Sequence, residues 1–354
     1  MDSTEITDRF KIAQNSLVIQ QSDFSLAAIF DMVARQSIDV QPHYQRRDRW
    51  QPEKQSALIE SFLLNVPVPP VYLSEDEYGQ YSVIDGKQRI TAICDFLGNK
   101  LRLKHLKKFP ELNGLYYTDL PAPLQNALAV RPYIRVTTLL KQSDDQLKYE
   151  VFLRLNTGGD TLKAQEIRNV AYSGLFNDLL LELSADPFLR DRLKITNEKS
   201  PAYRSMDDVE HVLRFFTVAA GWENMRHPLG EEMDLFMAHH RFERPDVFRE
   251  QFMRSLRWCE QLWGNHAFHK PTPTGWREQL ISPLYDAEMV AVSLLSDPQL
   301  DRLSDSADDV YTQTRAAFAE DVEFVKSVTS ATNNASAIRR RVTTVREILS
   351  GIAS

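Results

Sequence analysis

Cysteine is almost missing from this chain: its 354 residues hold two, Cys94 and Cys259. Their separation matches no zinc-binding pattern, and two isolated thiols exclude a disulfide-built scaffold. Long apolar runs are missing as well; none nears the roughly 20 residues a membrane span requires. The N-terminal stretch MDSTEITDRF is polar and acidic, so it does not read as a secretory signal. A cytoplasmic protein with reduced thiols and no membrane contact is expected. Positive charge is not in surplus. Lys and Arg total 42 against 49 Asp and Glu, which leaves −7 and excludes a protein that coats nucleic acid over its whole surface. Internal repeats and low-complexity segments are also absent, which excludes a solenoid. What remains is ordinary globular material, 43% hydrophobic and 26% charged, with enough chain for two domains.

Residues 22–36 (SDFSLAAIFDMVARQ) read as a helix capped by Ser22, with Leu26, Ile29, Phe30 and Val33 as its apolar stripe. Residues 38–42 read as a strand, and 51–70 as a helix opened by Pro52 and stopped by Pro67, Pro69 and Pro70. Residues 70–86 read as a hairpin turning at Gly79, 101–109 as a strand with a basic turn, and 131–140 as a further strand. Residues 143–174 read as helix, loop, helix, with Ser143 as the first cap, Gly158-Gly159 in the loop and Gly174 at the end. From about residue 175 helical periodicity dominates, with loops at 199–205 and 271–276. The expected architecture is α+β: a mixed domain over 1–175 and an all-helical domain over 176–354.

The stretch VIDGKQRITAICDFL (83–97) joins a strand to an amphipathic helix. A helix start carries exposed amides and partial positive charge, so it attracts anions. Lys87 and Arg89 add full charges there, and Asp85 suits a divalent cation shared with phosphate oxygens. The same residues also suit a plain helix start. Asp85 and Gln88 have the spacing of a capping box, and Asp85 and Arg89 that of an ion pair.

Two other stretches bear on this choice. HYQRRDRW (43–50) sets Gln45, Arg46, Arg47 and Arg49 among aromatics. Arginine forks match phosphate oxygens, while Trp50 reads best as a core anchor. In 152–169, Asn156, Thr157, Gly158 and Gly159 form a polar loop of the kind that lets amides approach phosphate, although a plain turn between helices uses the same residues. Gln165, Glu166, Arg168 and Asn169 then crowd polar groups into the next helix, more than a purely structural helix is expected to need.

Together YQRRDRW, IDGKQRIT (84–91) and RLNTGGDTLKAQEIRN (154–169) resemble, in order, the motifs of the domain-of-unknown-function 262 family of the ParB/sulfiredoxin-like superfamily. The family includes the N-terminal part of GmrSD-type modification-dependent restriction enzymes. The resemblance spans roughly residues 20–175. It implies a ParB/sulfiredoxin-like fold and a site binding a nucleoside triphosphate with Mg²⁺. Asp85, Gln88, Arg89 and Arg46 would be catalytic, with Asp85 as the metal ligand. Gln45, Gly86, Lys87, Asn156, Glu166 and Arg168 would bind the nucleotide. Lys87 departs from the commoner Gln of the signature; it keeps phosphate binding and loses an amide carbonyl. Cys94 lies too deep in its helix for sulfiredoxin chemistry and reads as core. His239 and His240 point about 100° apart on a helix and read as surface or capping groups.

The expected function is an NTP-binding and NTP-hydrolysing domain of a prokaryotic restriction or anti-phage system. No His-Asn-His nuclease motif is visible, so the nuclease is expected on a partner chain. The alternatives are a DNA-binding or adaptor module without turnover, favoured by the basic segments 43–49, 104–108 and 338–346, and a metal-dependent nuclease built on Asp85 and Glu166. The helical domain would serve homo-oligomerisation, partner docking or target recognition; its amphipathic helices fit all three.

Overall fold

The computed structural model describes residues 3–40, 50–143, 145–155, 163–244, 246–272 and 275–354. The chain divides into two compact units, Met1–Leu162 and Lys163–Ser354.

The first unit runs α1 (Ser3–Asn15), β1 (Ile19–Ser25), α2 (Leu26–Ala34), β2 (Ile38–Asp39), α3 (Pro52–Leu63), β3 (Val71–Glu77), β4 (Gln80–Asp85), α4 (Lys87–Leu97), α5 (Ala122–Val130), β5 (Tyr133–Leu139) and α6 (Asp145–Leu155). Its five strands form one mixed sheet in the order β1-β5-β3-β4-β2. β3 and β4 make the expected hairpin, turning at Gly79 with φ +77°. β5 joins β3 in parallel with Val71 opposite Val136, and β2 joins β4 in parallel with Ile38 opposite Tyr81. Both pairings need crossovers: α3 lies between β2 and β4, and α4 and α5 lie between β3 and β5. α4 packs against α2 and α3. Ile90, Ile93 and Phe96 of α4 meet Leu26, Ile29, Ile59, Val71, Val83 and Val136 in one core. Burying each such side chain contributes about 1.5–3 kcal/mol, which fixes the start of α4 against the end of β4.

Several local expectations change. Ser22 lies inside β1, and Ser25 caps α2 instead, accepting from the Ala28 amide at 3.2 Å. The strand pairs with β5 through its backbone, which overrides the helical periodicity of its second half. Residues 101–109 form no strand. Leu101, Leu103 and Leu106 are buried, and Leu103 exchanges backbone bonds with Leu115 and Gly114 in an irregular crossing. The Ser143 hydroxyl is taken by Val18, whose amide donates to it at 3.0 Å and whose carbonyl accepts from it at 3.1 Å.

The second unit is helical: α7 (Ala164–Ala171), α8 (Leu175–Leu183), α9 (Pro187–Arg192), α10 (Pro201–Arg204), α11 (Asp207–Gly221), α12 (Leu229–His240), α13 (Asp246–Trp263), α14 (Ser282–Ser293), α15 (Asp297–Asp305), α16 (Ala307–Glu320), α17 (Val322–Thr329) and α18 (Ala335–Ile352). It also holds a hairpin of β6 (His269–Thr272) and β7 (Gly275–Leu280). These strands are polar and carry no apolar alternation, so periodicity did not reveal them. α14 is the central helix, packed on α11, α13, α17 and α18. Among the described residues no helix is long and apolar enough to cross a membrane.

Candidate functional site

β4 ends on Asp85 and α4 begins at Lys87, so the quoted junction is a strand-to-helix turn. Gly86 is the N-cap residue, with φ +99°. A Cβ there would lie 2.6 Å from Val71 Cγ2 and 3.1 Å from Arg89 Nη2. Both the left-handed backbone and the close approach of β3 require glycine. Because the cap is glycine, the cap residue has no side chain to accept from the first-turn amides.

The expected capping box does not form. Asp85 turns its Oδ2 to Arg89 Nη2 at 2.6 Å, the ion-pair alternative. The same Nη2 donates to the Pro70 carbonyl at 3.0 Å. The Asp85 side chain is 50% exposed and that of Arg89 14%. Arg89 Nε is buried with no hydrogen-bond partner among the described residues. Gln88 is not a cap either: its Oε1 accepts from the Trp50 backbone amide at 2.9 Å. Trp50 packs against the core, as expected, and the Lys54 ammonium lies 4.6 Å from its ring centre. Sequence offered no signal for the Gln88–Trp50 bond, which joins residues 38 positions apart.

Lys87, Gln88, Thr91, Cys94 and Asp95 form the half-buried face of α4. Cys94 packs against the core, and burial pushes its thiol up to about 12. It therefore stays protonated and unreactive at neutral pH.

Gln45, Arg46 and Asn156 lie outside the described residues. Glu166 and Arg168 belong to the second unit. Glu166 Oε2 accepts from the Lys163 amide at 2.7 Å, closing the start of α7. Arg168 donates to Asp234 at 2.6 Å and to the Gly230 carbonyl at 3.2 Å. Gln165 donates to Asn169 at 2.8 Å, and Asn169 to Met206 Sδ at 3.0 Å. The second unit thus gives all four polar residues a structural use, contrary to the sequence expectation. α7 is buried on every side from Gln165 to Ala171, so its polar groups need partners, which Lys163, Met206, Gly230 and Asp234 supply together with the Gln165–Asn169 bond.

In the basic segment 338–346, Arg346 is exposed while the other three arginines are engaged. Arg341 is fully buried and reaches Asp286 at 2.6 Å, Arg340 pairs with Asp321 at 2.5 Å, and Arg339 donates to the Glu223 carbonyl at 2.7 Å. Asp286 also takes Arg214, again at 2.6 Å. Burial alone would raise the Asp286 carboxyl; the two guanidiniums outweigh it and hold the group below its usual range. Lys104, Lys107 and Lys108 differ: they are exposed and make no ion pair.

At the end of α12, ligand atoms of His239, His240 and Glu243 lie within 4.8 Å of one another. The His240 ring rests on Phe236, 4.1 Å between centres. His240 Nδ1 lies 2.9 Å from Glu243 Oε2, an ordinary ion-pair contact on the surface of the second unit.

Compared with known proteins, residues 26–173 match the family model described as GmrSD restriction endonuclease, N-terminal domain. No curated protein and no solved structure matches the chain significantly.

Proposed function

Since residues 26–173 are a GmrSD-type N-terminal domain, we propose that this chain is the nucleotide-binding and nucleotide-hydrolysing part of a prokaryotic restriction or anti-phage system, working with a nuclease on a partner chain. The observation that carries this reading is the turn Asp85–Arg89. It combines a helix start capped by glycine, two cations and one exposed carboxylate within five residues. A helix start of this kind takes phosphate, and Lys87 and Arg89 add the charge to hold it.

The donor set at Asp85 fits Mg²⁺, which takes one or two carboxylates, phosphate oxygens and water. When bound, Mg²⁺ supplies electrostatic stabilisation of the phosphoryl group in transfer. Arg89 now sits on Asp85 Oδ2 and the Pro70 carbonyl. A phosphate at the turn offers its guanidinium a further acceptor and leaves Asp85 to the cation. Gln88 Oε1 is committed to Trp50. Orientation of the attacking water is therefore assigned to Gln45, and neutralisation of developing charge to Arg46, both through the family resemblance. Glu166 and Arg168 are given no catalytic step, since Glu166 Oε2 accepts the Lys163 amide and Arg168 holds Asp234.

The test is hydrolysis of each common NTP with Mg²⁺, comparing wild type with Asp85→Ala and Arg89→Ala. The reading expects turnover that falls at least about 100-fold in either variant, about 2.7 kcal/mol of transition-state stabilisation. Equal turnover in all three, or none in wild type, would refute it. A second reading, a DNA-binding module without turnover, draws on the unpaired Lys104, Lys107 and Lys108. It predicts salt-sensitive DNA binding that weakens when these lysines are neutralised.

A further inference from the structure

A cavity of about 840 Å³ lies in the first unit between the β2 edge of the sheet and α4. Its walls include Gln36, Gln80, Tyr81, Thr91, Asp95 and Lys100. That volume is within the range of small-molecule sites. Polar side chains line it, and those of Gln36, Gln80, Thr91 and Lys100 make no hydrogen bond or ion pair.

The cavity wall continues the face of α4 that starts at the phosphate-handling turn. Lys87, Thr91 and Asp95 are successive i, i+4 neighbours, so they stand in one row. Eight residues of helix span about 12 Å, the scale of a nucleoside with its phosphates. We propose that this cavity receives the nucleoside of the nucleotide whose phosphates lie at Gly86–Arg89. This rests on the reading of that turn given above and extends it from phosphate binding to base recognition.

The chemistry suits a nucleobase and its sugar. Tyr81 is half-buried and offers a ring to stack on. Gln36 and Gln80 each offer both donors and an acceptor to a base edge. The Asp95 carboxylate is steadied by Gln55 Nε2, which donates to Oδ2 at 3.2 Å. Thr91 adds a hydroxyl midway along the row.

Calorimetry on the full chain with Mg²⁺ tests this by comparing ATP, GTP, CTP and UTP with inorganic tripolyphosphate, which lacks a nucleoside. Wild type is expected to bind at least one nucleotide ten-fold or more tighter than tripolyphosphate. Thr91→Phe, which narrows the cavity at α4, and the double variant Gln36→Ala/Gln80→Ala, which changes two exposed side chains, should each lose that preference. Their tripolyphosphate affinity should stay within two-fold of wild type. If both variants bind nucleotide as wild type does while Arg89→Ala does not, the cavity assignment is wrong and the turn stands. Tripolyphosphate binding as tight as every nucleotide also overturns the cavity assignment. No binding of either ligand by wild type overturns the turn and the cavity together.

Discussion

The side-chain oxygen of Gln88 accepts the backbone amide of Trp50 at 2.9 Å. Two motifs that stand apart in the chain are joined at this bond, one leading into Trp50 and the other opening α4. Gln88 thereby has a positioning role that its place in a helix start does not suggest.

Replacing Gln88 with Leu should leave the Trp50 amide without its acceptor. The expected cost is about 1–2 kcal/mol, with hydrogen exchange at the Trp50 amide accelerated roughly ten-fold or more. Unchanged protection at that amide would show that the bond does not order the segment.

Gly86→Ala should destabilise the first unit by about 2–4 kcal/mol, from the left-handed backbone and the clash with Val71. Thermal melts can separate the two causes. Adding Val71→Ala removes the contact at 2.6 Å but not the backbone strain, and it costs core packing of its own, so the double variant should not regain wild-type stability.

Glu288 in α14 is fully buried, and burial raises its carboxyl well above the usual 4.5 although its Oε2 accepts from the Phe268 amide. The folded protein keeps this proton after the unfolded chain has released it. Unfolding therefore releases a proton above about pH 4.5. The stability this group contributes is complete below that pH and declines as pH rises toward the folded value, by about 1.4 kcal/mol per unit. Glu288→Gln lacks this decline, so its stability relative to wild type should grow as pH rises above about 4.5 in denaturant titrations. A constant difference across that window would mean the carboxyl is already ionised in the folded protein.

Asp286→Ala should be among the most damaging single changes in the second unit. It leaves Arg214 and Arg341, both buried, without their shared carboxylate, and such an uncompensated charge costs about 3–5 kcal/mol. Loss of the helical circular dichroism signal or a sharply lowered melting temperature is the expected readout. A near-neutral effect would show that water reaches the pair.

Elements with strong apolar patterning were legible beforehand. The hairpin around Gly79, the helix opened by Pro52, strand β5 and α4 all follow from local pattern and turn chemistry. Ser22 and Ser25 show where that ends: both are acceptable caps locally, and pairing of β1 with β5 decides between them. Arg341 shows the same for charge. In sequence it belongs to an apparently basic run, and only packing against α14 reveals it as an interior residue. The Asp85–Arg89 pair was one of two local options, whereas the partners of Gln88 and Arg168 were hidden for a related reason. Spacing gave Asp85 and Gln88 several possible partners, and tertiary contacts chose among them or added ones too remote in sequence to foresee.

The short parallel ladder between β2 and β4 has one more consequence. β2 meets its neighbour over two residue pairs, Ile38 with Tyr81 and Asp39 with Ser82, and Ile38 and Asp39 both line the cavity. Peeling this edge away breaks only a few backbone bonds at about 1 kcal/mol each and exposes the buried Ile38 for about 2 kcal/mol more. At such a cost roughly one molecule in 10³–10⁴ stands open at any instant. Anything too bulky for the opening would enter and leave at the pace of that fraying margin.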